Sequence, residues 1–437
     1  AEPYPGTPSE KAGLQAGDVL IAIDGRDVKG MPTSKVTTQL RGEAGTTFNL
    51  TLLRDADTLT VSITRRNIQM PTINYSGIVD DGIGYLDLTG FTEGSAGEVR
   101  RTVMKLMDDG CKSIVFDLRD NPGGSLEEAI DIVSLFVPKG TLVVSTKGKM
   151  QSTCREMRTR TQPIVPADMP VVVMVNGGSA SAAEIVSGSL QDLDRAVVVG
   201  RRTYGKGLVQ SIHDAPGGGC LKITTSRYHI PSGRCIQAYD YRHLNPDGSV
   251  GVVPDSLTHV FHTANGREVR DGGGLKPDVE VVNDTLPSML FDLVASDQMF
   301  DFVTAFEKTH PTIAPAGEFV VDDSLYSAFV GYVAAHDFKY NRRTTEALAK
   351  LRELARIEGY DELAKAEFDA LEKRLNPELE SDLMRFRKEV SVYLADEIMT
   401  RYYHQAGLTR QMLVDNPYFN AAKTVLRDGS YSRILGQ

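Results

Sequence analysis

The sequence predicts a multidomain protein of the α/β class, and three observations carry that prediction. In the middle of the chain, short continuous apolar runs trade places with helical segments, the pattern of a sheet covered on both faces. Ahead of them lies a compact stretch of strands with little helix between. Beyond them the apolar residues recur at helical spacing. At 437 residues the chain has room for two to three domains of about 150 residues each.

The first block, residues 1–66, opens with the turn-formers Pro3, Pro5, Gly6 and Pro8, and Ser9–Leu14 reads as a short helix ending near Gly13. Gly17–Gly25 holds an apolar strand closed by the turn signal Asp24-Gly25. A helical stretch around Thr33–Leu40 and the alternating strands Thr47–Leu52 and Thr58–Ile63 complete an α+β unit. The second block, 67–284, contains the buried runs Ser113–Leu118, Val171–Val175 and Ala196–Gly200, with helices predicted over Ser125–Phe136 and Ala182–Leu193. Lys147–Asp168 is basic, polar and poor in aliphatics, and reads as an insertion or cap. In the third block, 285–437, Leu379, Leu383, Phe386, Val390 and Tyr393 form one helical stripe. Leu348, Leu351 and Leu354 form another, and Asn376-Pro377 separates the two. A packed helical domain explains these stripes; self-association would explain them as well.

Composition narrows the function classes. A hydrophobic fraction of 41% and a charged fraction of 24% exclude global disorder. The formal net charge of −10 argues against a protein devoted to nucleic acid or to anionic membranes. No apolar run approaches the roughly 20 residues a membrane-spanning helix needs. The missing initiator Met and leader give the look of a mature or trimmed chain. Cys111, Cys154, Cys220 and Cys235 show no C-x-x-C spacing. Cys220 and Cys235 flank a predicted hairpin around Pro231-Ser232-Gly233 and could pair across it. No HExxH, Walker loop, GxSxG elbow or EF-hand is present, and neither a metal nor a cofactor is expected.

Two short segments remain as carriers of chemistry. Asn176-Gly177-Gly178-Ser179-Ala180-Ser181-Ala182 follows a buried strand and feeds a helix. A serine at such a turn is held rigidly at the sheet edge, and the N–H groups of the first helical turn point at whatever it attacks. Farther on, Gly205-Lys206-Gly207 sets a lysine between two glycines before a strand. Taken alone, the first reads as a capped helix start and the second as a surface charge.

Together, Ser179-Ala180-Ser181-Ala182-Ala183-Glu184 and Thr203-Tyr204-Gly205-Lys206-Gly207 resemble the carboxyl-terminal processing (tail-specific) protease family of serine peptidases. Supporting marks are Asp117-Leu118-Arg119-Asp120-Asn121-Pro122-Gly123-Gly124, the Arg227-Tyr228 to Pro231-Ser232-Gly233 strand and turn, and Gly273-Gly274-Leu275-Lys276-Pro277-Asp278. Ala12-Gly13-Leu14, Gly17-Asp18-Val19-Leu20 and Leu40-Arg41-Gly42 resemble the later part of a PDZ domain. The resemblance spans about residues 1–284. It implies a partial PDZ domain (1–66) without its first strand and carboxylate-binding loop, a crotonase-like α/β spiral core with a small cap (67–284), and a helical C-terminal domain (285–437).

The resemblance makes Ser181 the nucleophile and Lys206 its general base, with Gln210 orienting the amine. A lysine serves as a base only when uncharged, so burial of the amine is expected. Oxyanion donors would be the N–H of Ala182 and of Gly123 or Gly124, while Glu184, Asp192 and Thr203 either cap structure or support the site. Arg41 matches a position tied to PDZ control. The implied substrates are proteins with unstructured C-terminal tails, cut in a bacterial periplasm or cell envelope, with an adaptor or homo-oligomer left open. The rival readings are a PDZ-helical binding scaffold with a dormant core, and an acyl-CoA enzyme of crotonase type.

Overall fold

The computed structural model describes residues 3–436 apart from residues 69, 246, 283–285, 341 and 377. It divides into an α/β unit, residues 71–283 with 415–437, and a composite unit, residues 1–70 with 284–414. The 284/285 boundary expected from sequence lies outside the described residues, as does Pro377.

The α/β unit is built on a six-stranded sheet. Its spatial order is Val279–Glu280, Val197–Gly200, Val171–Val175, Ser113–Asp117, Ile83–Asp87 and Ser76–Val79. All neighbours are parallel except the last pair. Val173 stands in register with Phe116 on one side and Val198 on the other. Every residue of the four inner strands is buried, which is why they carry no alternation in sequence. Helix Ser95–Asp108 covers the sheet through Val99, Val103 and Leu106, and Leu126–Val133 starts on a Ser125 cap. Helix Ala182–Asp192 is buried along its whole length.

A second, antiparallel sheet runs in the order Leu208–Ala215, Gly219–His229, Leu142–Gly148, Arg155–Arg158. The cap-like stretch 147–168 supplies only its outer strand, and Thr159 and Val165 turn back into buried positions. All four cysteines are free thiols. Cys220 sits at the start of the strand that ends at His229, about 30 Å of extended chain from the 231–233 turn, so the Cys220–Cys235 pairing is not formed.

The end of the chain departs from the expected third block. Helices Pro417–Arg427 and Ser430–Leu435 pack on the α/β sheet rather than with the helical residues before them. Phe419 stands edge-on to Tyr85 with ring centroids 6.0 Å apart. The Tyr431 hydroxyl accepts the Val171 N–H and donates to the Arg195 carbonyl, both at 3.1 Å. Nothing in the apolar spacing distinguishes these helices from their predecessors.

In the composite unit, four antiparallel strands, in the order Arg26–Asp27, Val19–Ile23, Thr47–Arg54 and Asp57–Thr64, enclose Ile23, Val28, Phe48, Leu50 and Ile63. Asp24 and Gly25 both have positive φ, 49° and 74°, as the two-residue hairpin requires. The helices between Ser288 and Met412 bury a second core around Tyr326, Phe329, Leu383, Val390 and Ile398. Gly17 lies against Thr304, and Lys308 pairs with Asp55, so sheet and helices share one body. The long stripe expected as one helix is two, Leu379–Arg385 and Arg387–Met412, broken at Phe386 (φ −101°, ψ 23°). No Gly or Pro marks that break; tertiary packing makes it. The upstream stripe stays largely uncovered: Leu348 is buried, whereas Leu351 and Leu354 are 54% and 55% exposed.

Candidate active site

At the carboxyl ends of Ser113–Asp117 and Val171–Val175 two loops are stitched together. The Ser179 hydroxyl donates to the Leu118 carbonyl at 2.7 Å and accepts the Asn176 N–H at 2.9 Å. Asn176 Oδ1 accepts the N–H groups of Gly178 and Asp120, both at 2.9 Å. The Ala180 N–H donates to the Asn121 carbonyl at 2.9 Å. Asn121, fully buried, donates to the Leu88 carbonyl at 2.6 Å. These bonds hold the turn that presents Ser181.

Ser181 has φ 57° and ψ −113°, a backbone conformation that a non-glycine residue adopts at a cost of about 1–3 kcal/mol. It is half-buried and stands immediately before helix Ala182–Asp192. Gly123, at φ 94°, passes so close that a Cβ there would meet the Ala180 carbonyl at 2.6 Å, Ser181 Cβ at 2.8 Å and the Ala182 nitrogen at 2.9 Å. Only glycine fits. The Gly123 N–H is already given to Asn121 Oδ1 at 2.9 Å. Among the described residues the N–H groups of Gly124 and Ala182 have no such acceptor, so these two are the donors left for an oxyanion.

Glu184 joins the serine and lysine segments. Its Oε2 accepts the Ser181 N–H at 2.8 Å and the Lys206 N–H at 2.9 Å. Its Oε1 accepts the Gly205 N–H at 2.7 Å and the Thr203 hydroxyl at 2.5 Å. Burial pushes its carboxyl above the usual range, and the four donors pull it back. Thr203 also accepts the Leu275 N–H at 2.7 Å, and the Tyr204 N–H reaches the Ser179 carbonyl at 3.0 Å. Glu184 and Thr203 thus tie the serine and lysine segments together.

Three expectations are corrected. Lys206 is exposed, and its ammonium makes no ion pair or hydrogen bond among the described residues. Buried Gly205 and Gly207 pack against Ala238 and Gln237, and the alternation between them turns the lysine outward. The side chain of Gln210, exposed on strand Leu208–Ala215, holds no hydrogen bond to the amine. Asp192 is remote from the nucleophile: ten residues along the helix put it about 15 Å away. There its Oδ1 binds Arg234 Nη2 at 2.7 Å, both side chains almost wholly buried, and its Oδ2 accepts the Ser232 N–H at 3.0 Å.

Gln237 escaped the sequence reading. Its Oε1 accepts the Gly207 N–H at 2.8 Å and its amide donates to the Tyr239 carbonyl at 3.0 Å, holding the strand that leaves the lysine. No motif announces it. Ser179 and Asn176 lay within a recognisable turn, where Asn and Ser bonding to nearby backbone was the available signal. Arg41 is exposed at the end of helix Thr33–Leu40, on the rim of a cavity of about 820 Å³ lined by Leu14, Leu20, Leu40, Phe48 and Ile63.

Residues 82–258 match the model of peptidase family S41, residues 1–54 that of the PDZ domain, and residues 289–426 one described as "Probable PDZ-protease, C-terminal helical domain". A carboxy-terminal-processing protease of Bartonella bacilliformis is 37% identical over 259 residues, covering 58% of this chain and 56% of its own length. A "Probable CtpA-like serine protease" of Staphylococcus haemolyticus is 33% identical over 285 residues, covering 65% of this chain and 56% of its own. The chain thus spans little more than half of each relative. A solved photosystem II D1 C-terminal processing protease is 27% identical, covering 65% of this chain and 68% of that one, at a TM-score of 0.37.

Proposed function

We propose, from the match of residues 82–258 to the model of peptidase family S41 and the likeness to carboxy-terminal-processing proteases, that the chain is a serine endopeptidase cutting proteins near unstructured C-terminal tails. Ser181 attacks the scissile carbonyl, and the N–H groups of Ala182 and Gly124 take the charge that develops on its oxygen. Lys206 accepts the serine proton and passes it to the leaving amine. Water then hydrolyses the acyl-enzyme by the same route.

One observation carries the reading: a single carboxylate oxygen of Glu184 holds the main-chain nitrogens of both Ser181 and Lys206. That shared anchor keeps the two side chains on neighbouring stretches of backbone despite the distance between them in sequence. The Lys206 side chain stands exposed to water. A substrate strand lying over residue 206 would strip that water and turn the amine toward the serine. Gln210, on the next strand, would orient the amine once it turns inward.

Ser181→Ala and Lys206→Ala, assayed on an unfolded protein with a free tail, should each lose at least about a thousandfold in kcat while melting near the wild-type temperature. Full activity in either variant would end the assignment. The exposure of Lys206 favours a second reading, a PDZ-helical scaffold with a dormant core, which complete inactivity of the wild type toward tailed substrates would support. We place the protein in a bacterial periplasm or cell envelope by its likeness to the family; fractionation of a producing strain tests this.

A further inference from the structure

The last stretch of the chain is tied to the loop that carries Gly123 and the oxyanion donor Gly124. Asn416 caps helix Pro417–Arg427, its Oδ1 accepting the N–H groups of Tyr418 and Phe419 at 3.0 and 3.1 Å. The same oxygen accepts from Arg119 Nη1 at 3.2 Å, and the guanidinium lies 5.1 Å from the centre of the Tyr418 ring. On its other side Arg119 Nη2 meets Asp117 Oδ2 at 2.6 Å, with both side chains largely buried. Asp117 also accepts the Arg119 main-chain N–H at 2.9 Å and the Tyr85 hydroxyl at 2.7 Å. Tyr85 in turn abuts Phe419, which closes a ring of contacts around Arg119.

Arg119 is the residue from which the loop departs. Directly after it Asp120 takes a positive φ of 57° and bonds Asn176, and the chain then runs through Asn121 to the glycines beside Ser181. Asn416 is also the second residue after the chain passes from the composite unit into the α/β unit at Asp415.

We infer that Asn416 is a positioning residue for acyl transfer: through Arg119 it holds the loop of residues 118–124, and with it Gly123 and the oxyanion donor Gly124, against the nucleophile turn. The inference rests on the peptidase reading for its catalytic consequence, but not for the loop order itself. Without the Asn416 oxygen, Arg119 loses an acceptor inside a largely buried network, keeping Asp117 and its contacts with Tyr85 and Tyr418.

The test separates this link from ordinary helix capping. Asn416→Ser keeps an N-cap oxygen on a shorter side chain that falls short of Arg119, and Asn416→Asp keeps both the cap and the reach. Cleavage of a tailed substrate and hydrogen exchange of the 118–124 amides are measured on the full chain. Asn416→Ser should melt near the wild-type temperature yet lose about tenfold in kcat, with KM within twofold and faster exchange in 118–124; Asn416→Asp should restore both. Wild-type exchange and turnover in Asn416→Ser would overturn the proposal. Should the wild type prove inactive, the peptidase reading falls, while unchanged exchange in Asn416→Ser would still refute the positioning role and accelerated exchange would sustain it.

Discussion

Gly123 shows how tightly single residues are constrained at this site. Its positive φ and the contacts a Cβ would make with Ala180, Ser181 and Ala182 leave no room for a side chain. Gly123→Ala is expected to displace the loop and lower kcat by about a hundredfold, the scale of losing one oxyanion donor. It should also destabilise the α/β unit by about 1–3 kcal/mol. Steady-state kinetics and thermal unfolding check the pair, and a variant that keeps wild-type turnover would remove Gly123 from the site. Ser181 and Lys206 were legible because their segments carry distinctive glycines and small residues. The outward turn of Lys206 was not, since it follows from how Gly205 and Gly207 pack against residues 237 and 238, some thirty positions away.

At the scale of elements, helix Ala182–Asp192 serves two ends. Its first turn carries Glu184, which joins four donors from two segments. Its last residue, Asp192, locks Arg234 in the interior. Removing one partner of a buried ion pair leaves the other charge uncompensated, so Asp192→Ala should cost about 3–5 kcal/mol of stability. The fraction that remains folded should turn over substrate at close to the wild-type rate. Urea unfolding alongside kcat per folded molecule tests this; a stable but inactive variant would return Asp192 to the site. Apolar pattern located the strands of the first block, the strands Ser113–Asp117, Val171–Val175 and Val197–Gly200 and helix Ala182–Asp192, but not the strands Ser76–Val79 and Ile83–Asp87 or helix Ser95–Asp108. The break at Phe386 and the interruption at His404 (φ 55°) were not readable either, because neither is marked by Gly or Pro.

Across the whole molecule, each unit holds an acid that burial keeps from ionising readily. Asp87, buried in the α/β sheet, is pushed up to about 6, chiefly by desolvation. Desolvation pushes Asp396, in the composite unit, to about 7. Both folded values lie above the unfolded one near 3.8. Their contribution to stability is therefore fully present below about pH 4 and is lost as pH rises through 6 for Asp87 and 7 for Asp396. For Asp87 the loss is roughly 3 kcal/mol. Asp87→Asn keeps an acceptor for the Tyr75 N–H without the charge. It should stabilise the α/β unit at pH 8 and leave it unchanged at pH 4; Asp396→Asn should do the same for the composite unit. Melting curves at both pH values decide the matter, and equal shifts at both would refute it.

The order of strands and helices, the glycine-rich turns and the two chemistry-bearing segments were determined by the sequence alone, because hydrophobic period and turn chemistry are local properties. Tertiary structure decided what depends on contacts between distant residues. Examples are the pairing of the first seventy residues with the helices, the return of the last helices to the α/β sheet, the transfer of Asp192 to a structural ion pair, and the bridging of Ser181 and Lys206 by Glu184. In each, a buried charge or apolar face had to find its partner in space, and spacing along the chain does not encode which partner that is.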